Sequence, residues 1–160
     1  MGGIRIRLAK ADDAKQLVDL VLAMTAEISG RAMMLKLAPK LHEDVAAAMR
    51  GDADDRMLVA ERDGRLLGCG RARVFAYHPM LRFGPDPRHA YVELMYVVRE
   101  ARGCGLAGRI LQRLEAWAKR RGVSQVTLHH SPKARSFYER HGYALIAEMH
   151  KRLAPPKAGR

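Results

Sequence analysis

The stretch Val97-Val98-Arg99-Glu100-Ala101-Arg102-Gly103-Cys104-Gly105-Leu106-Ala107-Gly108 crowds glycines where an apolar run gives way to a helical pattern. Such a strand-to-helix junction aims unpaired backbone N–H groups and the positive end of a helix dipole at one point. That is a binding place for phosphate oxygens. Glycine suits it because a Cβ would hold the phosphates away from the backbone. Two other residues carry proton chemistry. Glu93 interrupts the apolar run Ala90 to Val98, where a carboxylate is costly unless it faces a cleft or a cation. It is a candidate general base, and an ion pair with Arg71 or Arg73 accounts for it equally well. His89, at the mouth of the same run, is a weaker substitute. Tyr138 is either a phenolic acid or an ordinary core aromatic on a short helix.

Two motifs overlap in the glycine run. Gly103-x-Gly105-x-x-Gly108 matches the dinucleotide fingerprint, but that fingerprint follows its strand directly and wants an acid at the end of the next strand. Here Arg99 to Arg102 intervene, and the next strand ends in His129-His130. Read as Arg102-x-x-Gly105-x-Ala107, the run resembles the coenzyme A-binding motif of the GCN5-related N-acetyltransferases. The later segment Ala134-Arg135-Ser136-Phe137-Tyr138-Glu139-Arg140-His141-Gly142-Tyr143 resembles that family's second motif, a short helix bearing an aromatic-Tyr-Glu sequence and closed by Gly-Tyr. The resemblance is close over Tyr91 to Met149; before that it rests on the order of elements.

The resemblance implies an acetyl-CoA-dependent N-acetyltransferase acting by direct attack of a primary amine in a ternary complex. It implies that the backbone N–H groups of the loop Cys104, Gly105, Leu106, Ala107 and Gly108 hold the pyrophosphate, with Arg102 and Gly103 shaping the approach. Backbone atoms near Tyr96, Val97 and Val98 would bond the pantetheine arm, one of them polarising the thioester carbonyl. Ser131 stands where many members have an Asn that contacts that arm; Arg99 stands where proline is frequent. Tyr138 takes the position of the general acid. An alkylamine of pKa about 10 needs a proton acceptor, for which Glu93 is the candidate, and a thiolate of pKa about 8.5 is readily protonated by a phenol. Cys104 invites a covalent scheme because helix N-termini activate thiols, but the family transfers directly and this position varies within its motif. The first two helices and the hairpin loops, Met24 to Leu41 and Tyr77 to His89, would wall the acceptor. Met33, Met34, Tyr77 and Phe83 are candidates there, as are Glu27, Glu43 and Asp44 for a cationic amine. The resemblance does not specify the acceptor, which ranges over small molecules and protein amino groups, nor an acyl group longer than acetyl.

The elements that must position these residues follow from periodicity. Ile4, Ile6 and Leu8 alternate as in a strand, and Asp12 or Asp13 offers a cap for a helix carrying Leu17, Leu20, Val21 and Met24. Gly30 to Pro39 reads as a bend before a second helix with Leu41, Val45 and Met49 on one stripe, ending at Gly51. Met57 to Glu61 and Leu66 to Tyr77 flank Asp63-Gly64, a strong hairpin signal. A proline-marked loop with Pro79, Pro85 and Pro87 leads to the strand Ala90 to Val98. A helix with Leu106, Ile110, Leu114 and Trp117 then runs to Gly122. Val123 to His129 reads as a strand, Ser131-Pro132 as a cap opening a short helix to His141, and Tyr143 to His150 as a last strand. The expected architecture is α/β (α+β): a mixed, mostly antiparallel sheet with helices on both faces, split between Ala90–Val98 and Val123–His129 for the cofactor. We expect one domain over residues 1–153 and a loose tail over 154–160.

At 160 residues, 48% of them hydrophobic, the chain can bury a core without disulfide or metal support. Its two cysteines, Cys69 and Cys104, form no Cys-x-x-Cys pair and its seven histidines no zinc motif, so no metal is expected. No apolar run approaches the roughly 20 residues of a membrane span and the start builds no signal-peptide core, so a cytoplasmic location is expected. The formal charge of +12 is spread along the chain and lacks interleaved aromatics, which argues against a nucleic-acid stripe. The competing readings are a non-catalytic module sensing CoA or binding RNA, supported by Arg109, Arg113, Lys119, Arg120 and Arg121 on one helix, and a nicotinamide-dependent enzyme. A homodimer is left open.

Overall fold

A computed structural model describes residues 3–50, 53–76 and 88–146. Contacts divide the chain into two compact units, Met1–His129 and His130–Arg160. The larger contains a sheet in the order β1-β2-β3-β4-β5, built from β1 (Arg5–Leu8), β2 (Asp55–Arg62), β3 (Arg65–Ala76), β4 (Arg88–Val97) and β5 (Val126–Leu128). All neighbours are antiparallel except β4 and β5. This is the mixed sheet expected. The hairpin between β2 and β3 turns at Asp63 and Gly64, both at positive φ (51° and 79°), as a two-residue primed turn requires.

Three helices complete this unit: α1 (Ala14–Ser29), α2 (Arg31–Met49) and α3 (Leu106–Arg120). Alternation along β3 assigns them to opposite faces. Cys69 packs into a core with Leu17, Val18 and Leu20 of α1 and Val45 and Ala48 of α2. Its neighbours Gly68 and Gly70 face α3, where a Cβ on Gly70 would lie 2.6 Å from Ile110. The stripe Leu106, Ile110, Leu114 and Trp117 is buried throughout, since its spacing keeps one side of α3 on the sheet.

Several boundaries differ from expectation. The bend before α2 shrinks to Gly30 (φ 84°), and the helix runs through Pro39. The proline forfeits one backbone hydrogen bond there, and the stripe Leu41, Val45 and Met49 still meets the α1 core. Asp13 does not cap α1; its carboxylate accepts from the Lys10 N–H at 2.8 Å and from Arg7 at 2.6 and 2.9 Å. The strand expected over Val123 to His129 is the three residues of β5.

The smaller unit begins with a 3-10 turn (Pro132–Ala134) and α4 (Arg135–Glu139), two residues shorter than expected. Ser131 stands at the cap position without a side-chain capping bond. Tyr143 to Ile146 form no strand. Gly51, Tyr77 with the loop of Pro79, Pro85 and Pro87, and everything from Ala147 on, including the expected tail, lie outside the described residues.

Candidate functional site

After β4 a 3-10 turn (Arg99–Ala101) leads to Gly103 and Gly105, at φ 80° and 73°, and Gly105 opens α3. Those conformations disfavour a Cβ-bearing residue. The first amide of α3 with a carbonyl partner is Arg109, donating to Gly105 at 3.1 Å. From Cys104 to Gly108 no backbone N–H has a protein acceptor among the described residues, and no side chain caps the helix. A Cβ built on Gly103 or Gly105 meets nothing within 4 Å. The loop is therefore a cradle of unsatisfied donors facing open space, at the positive end of a 15-residue helix. It fits a diphosphate. The Cys104 thiol donates to the Ala101 carbonyl at 3.2 Å.

The end of β4 is open on one side. Its parallel pairing with β5 runs from Ala90↔Val126 to Val92↔Leu128 and stops. On its other side the Val98 N–H donates to the Leu67 carbonyl at 3.0 Å. Because antiparallel pairing alternates, Tyr96 shares that orientation with Val98, whereas Val97 and Met95 turn their amides to the other side, beyond the end of β5. Of Tyr96, Val97 and Val98, only Val97 thus presents its N–H to the gap. Met95, which periodicity did not single out, does so too.

Arg102 braces this edge. Its Nε donates to the Val97 carbonyl at 2.8 Å, and both terminal nitrogens donate to Glu27 of α1 at 2.9 Å. Its guanidinium lies 5.6 Å from the Tyr96 ring centroid. Burial, with Glu27 nearby, pushes the Tyr96 phenol up. Glu27, expected as a lure for a cationic amine, instead pairs with Arg102 and, at 3.7 Å, with Arg99.

The β3–β4 register skips Glu93, passing from Arg71↔Leu94 to Ala72↔Val92. This bulge lies at the first β4 residue beyond the β5 pairing. The Glu93 carboxylate, 29% exposed, pairs with Arg71 at 3.1 Å and Arg73 at 3.6 Å. The ion-pair reading of Glu93 is thus what its contacts contain. His89 is buried against Phe75, ring centroids 4.4 Å apart, and burial lowers its pKa. Tyr91 hydrogen-bonds His129, just past the end of β5, a contact without a sequence signal because the two residues lie 38 positions apart.

In the smaller unit Tyr138 is buried, with Phe137 and Tyr143 at ring centroid distances of 5.0 and 5.6 Å. Burial raises the phenol pKa, so it holds its proton at neutral pH. Of the expected acceptor wall, Met33 is exposed and Met34 partly so, Glu43 and Asp44 are exposed on α2, and Tyr77 and Phe83 lie outside the described residues.

The sequence profile of the Acetyltransferase (GNAT) family matches residues 22–143. The chain belongs to the GNAT family. It is therefore an acetyl-CoA-dependent N-acetyltransferase, and the nicotinamide and non-catalytic readings fall away. A curated relative, the uncharacterized N-acetyltransferase YhfO of Bacillus subtilis, is 28% identical over 149 residues, spanning 88% of this chain and 89% of that protein. The fold is similar to a GCN5-related N-acetyltransferase from Ralstonia eutropha (TM-score 0.83, 22% identity, 96% of this chain and 100% of that one). It is also similar to a predicted acetyltransferase solved with acetyl-CoA from Clostridium acetobutylicum (TM-score 0.74, 20% identity, 93% and 95%). A 3-10 turn separates the loop glycines from β4, whereas a dinucleotide fingerprint follows its strand directly. No helix among the described residues is long and apolar enough to cross a membrane.

Proposed function

We propose that the chain acetylates a primary amine by direct attack in a ternary complex, with the diphosphate of acetyl-CoA on the amides of Cys104 to Gly108. The observation that carries this reading is the run of unpartnered N–H groups at a glycine-opened helix. Acetyl-CoA, when bound, supplies an acyl carbon activated by a thiolate leaving group. The Val97 and Met95 amides, facing the open edge of β4, would hold the pantetheine arm in place of the missing strand. An N–H beside the bulge would hold the carbonyl oxygen as it gains charge, which is the larger contribution to acyl transfer. Ser131 is assigned a contact to the same arm.

Tyr138 is assigned the role of proton donor to the leaving thiolate. Its buried phenol stays protonated, which supports the assignment. Glu93 is assigned the proton from the amine, directly or through water; its carboxylate lies between Arg71 and Arg73 at the bulge of β4. Cys104 contributes its amide alone. A panel of amines incubated with acetyl-CoA, read as release of free thiol, tests the reading. Tyr138→Phe is expected to lower kcat by about 10²-fold while leaving the dissociation constant of CoA unchanged. Equal kcat in the variant would remove Tyr138 from the chemistry.

A further inference from the structure

Asp55 of β2, Arg71 and Arg73 of β3 and Glu93 of β4 form a closed ring of alternating charge. Asp55 accepts from Arg71 through both oxygens, one at 3.0 Å, and Glu93 meets Arg71 at 3.1 Å. Arg73 is held differently. Its atoms lie 3.7 Å from Asp55 and 3.6 Å from Glu93, beyond hydrogen-bond range, and its side chain is 50% exposed. One arginine is locked and the other is only loosely attracted.

The loosely held guanidinium lines an open space. An open cleft of about 550 Å³ is lined by Asp44, Arg50, Asp55, Arg71 and Arg73 with the small residues Ala47 and Ala48. Neither the Arg50 nor the Asp44 side chain has a hydrogen-bond or ion-pair partner among the described residues. The cleft therefore carries separated charges of both signs. It adjoins Glu93 through Arg73, and Glu93 sits at the bulge where β4 opens.

We infer that the acceptor is a primary amine that also bears a carboxylate, as an α-amino acid does, its carboxylate bound by Arg73 with Arg50 beside it and its amine directed to Glu93. A guanidinium fork matches a carboxylate with two parallel hydrogen bonds. Arg73 makes no such pair among the described residues, so binding exchanges two long attractions for one well-shaped contact. The ammonium of the same molecule replaces Arg73 as the partner of Glu93, so neither member of the broken pair is left alone. An amine without an acid group could not make this exchange; it would bring a third cation beside Arg71 and Arg73. This inference rests on the proposed assignment of Glu93 to the amine's proton.

The test compares matched acceptors with acetyl-CoA and the full chain: phenylalanine against phenethylamine, and lysine against cadaverine. The acid-bearing member of a pair is expected to have kcat/KM at least about tenfold higher, or ~1.4 kcal/mol. Arg73→Gln is expected to abolish that preference through KM, and Arg73→Lys to restore part of it, while the dissociation constant of acetyl-CoA changes little in either. Equal or better turnover of the acid-free amines, or an undiminished preference in Arg73→Gln, overturns the inference and leaves amine acetylation standing. Turnover of neither member of any pair overturns both. Should Arg73→Gln fold poorly, Arg50→Ala provides the second measurement, with a rise in KM confined to the acid-bearing acceptors; no rise counts against the inference.

Discussion

Glu27, near the end of α1, holds both terminal nitrogens of Arg102 at 2.9 Å, while Arg102 Nε holds the Val97 carbonyl at 2.8 Å. One side chain thus ties the first helix to the strand end and to the residue before Gly103. Glu27→Gln removes the charge from this brace and loosens the strand end and the loop, the two edges proposed to hold the cofactor. The pair is partly exposed, which limits its contribution to about 1 kcal/mol. We expect a roughly fivefold rise in the dissociation constant of acetyl-CoA, measured by calorimetry; an unchanged constant would mean the brace is ornamental.

Gly105→Ala places a methyl group where the protein leaves open space and forces an L-residue to φ 73°. The strain costs about 1 kcal/mol of stability. Cofactor affinity should fall further than stability does, because the methyl group stands among the donor N–H groups. Thermal unfolding with and without CoA separates the two effects: the variant's melting temperature should lose much of its response to CoA.

Gly70→Ala acts in the core, between β3 and α3. Its Cβ would meet Ile110 at 2.6 Å, the Met95 sulfur at 2.9 Å and Leu114 at 3.1 Å. Pushing α3 off β3 should cost about 1–3 kcal/mol. Urea denaturation would reveal it, and a midpoint equal to that of the parent would contradict the close approach described.

Asp13 provides a pH dependence with a definite sign. Burial alone would raise its pKa, but the bonds from Arg7 and from the Lys10 N–H outweigh burial and hold it below the ordinary 3.8. A carboxyl depressed in the folded state stabilises above its unfolded pKa, and that contribution is lost as pH falls through the folded value. Asp13→Asn should therefore destabilise by about 3 kcal/mol near neutrality and by much less at the acid end, below pH 3.8. A deficit that is the same at both ends of the range would refute the linkage.

Much of the fold is written locally. The stripe of α3, the Asp63-Gly64 turn and the glycines after β4 each depend on residues a few positions apart, so periodicity and turn chemistry suffice to find them. The bend expected over Gly30 to Pro39 failed because packing of Leu41 and Val45 on α1 outweighs a single proline. The capping expected of Asp13 failed because Arg7, across the turn from β1, is a stronger partner than a helix amide.

By itself, the chain's order of residues determined the family resemblance, the order of elements as far as α4 and the glycine loop that opens α3, since all three rest on short-range spacing. Only the tertiary structure decided that Val97 rather than Val98 offers an amide to the gap, that the register skips Glu93, and that Glu27 finds Arg102 across 75 positions. Strand register and the meeting of distant faces are set by how the whole sheet packs. No local pattern encodes them.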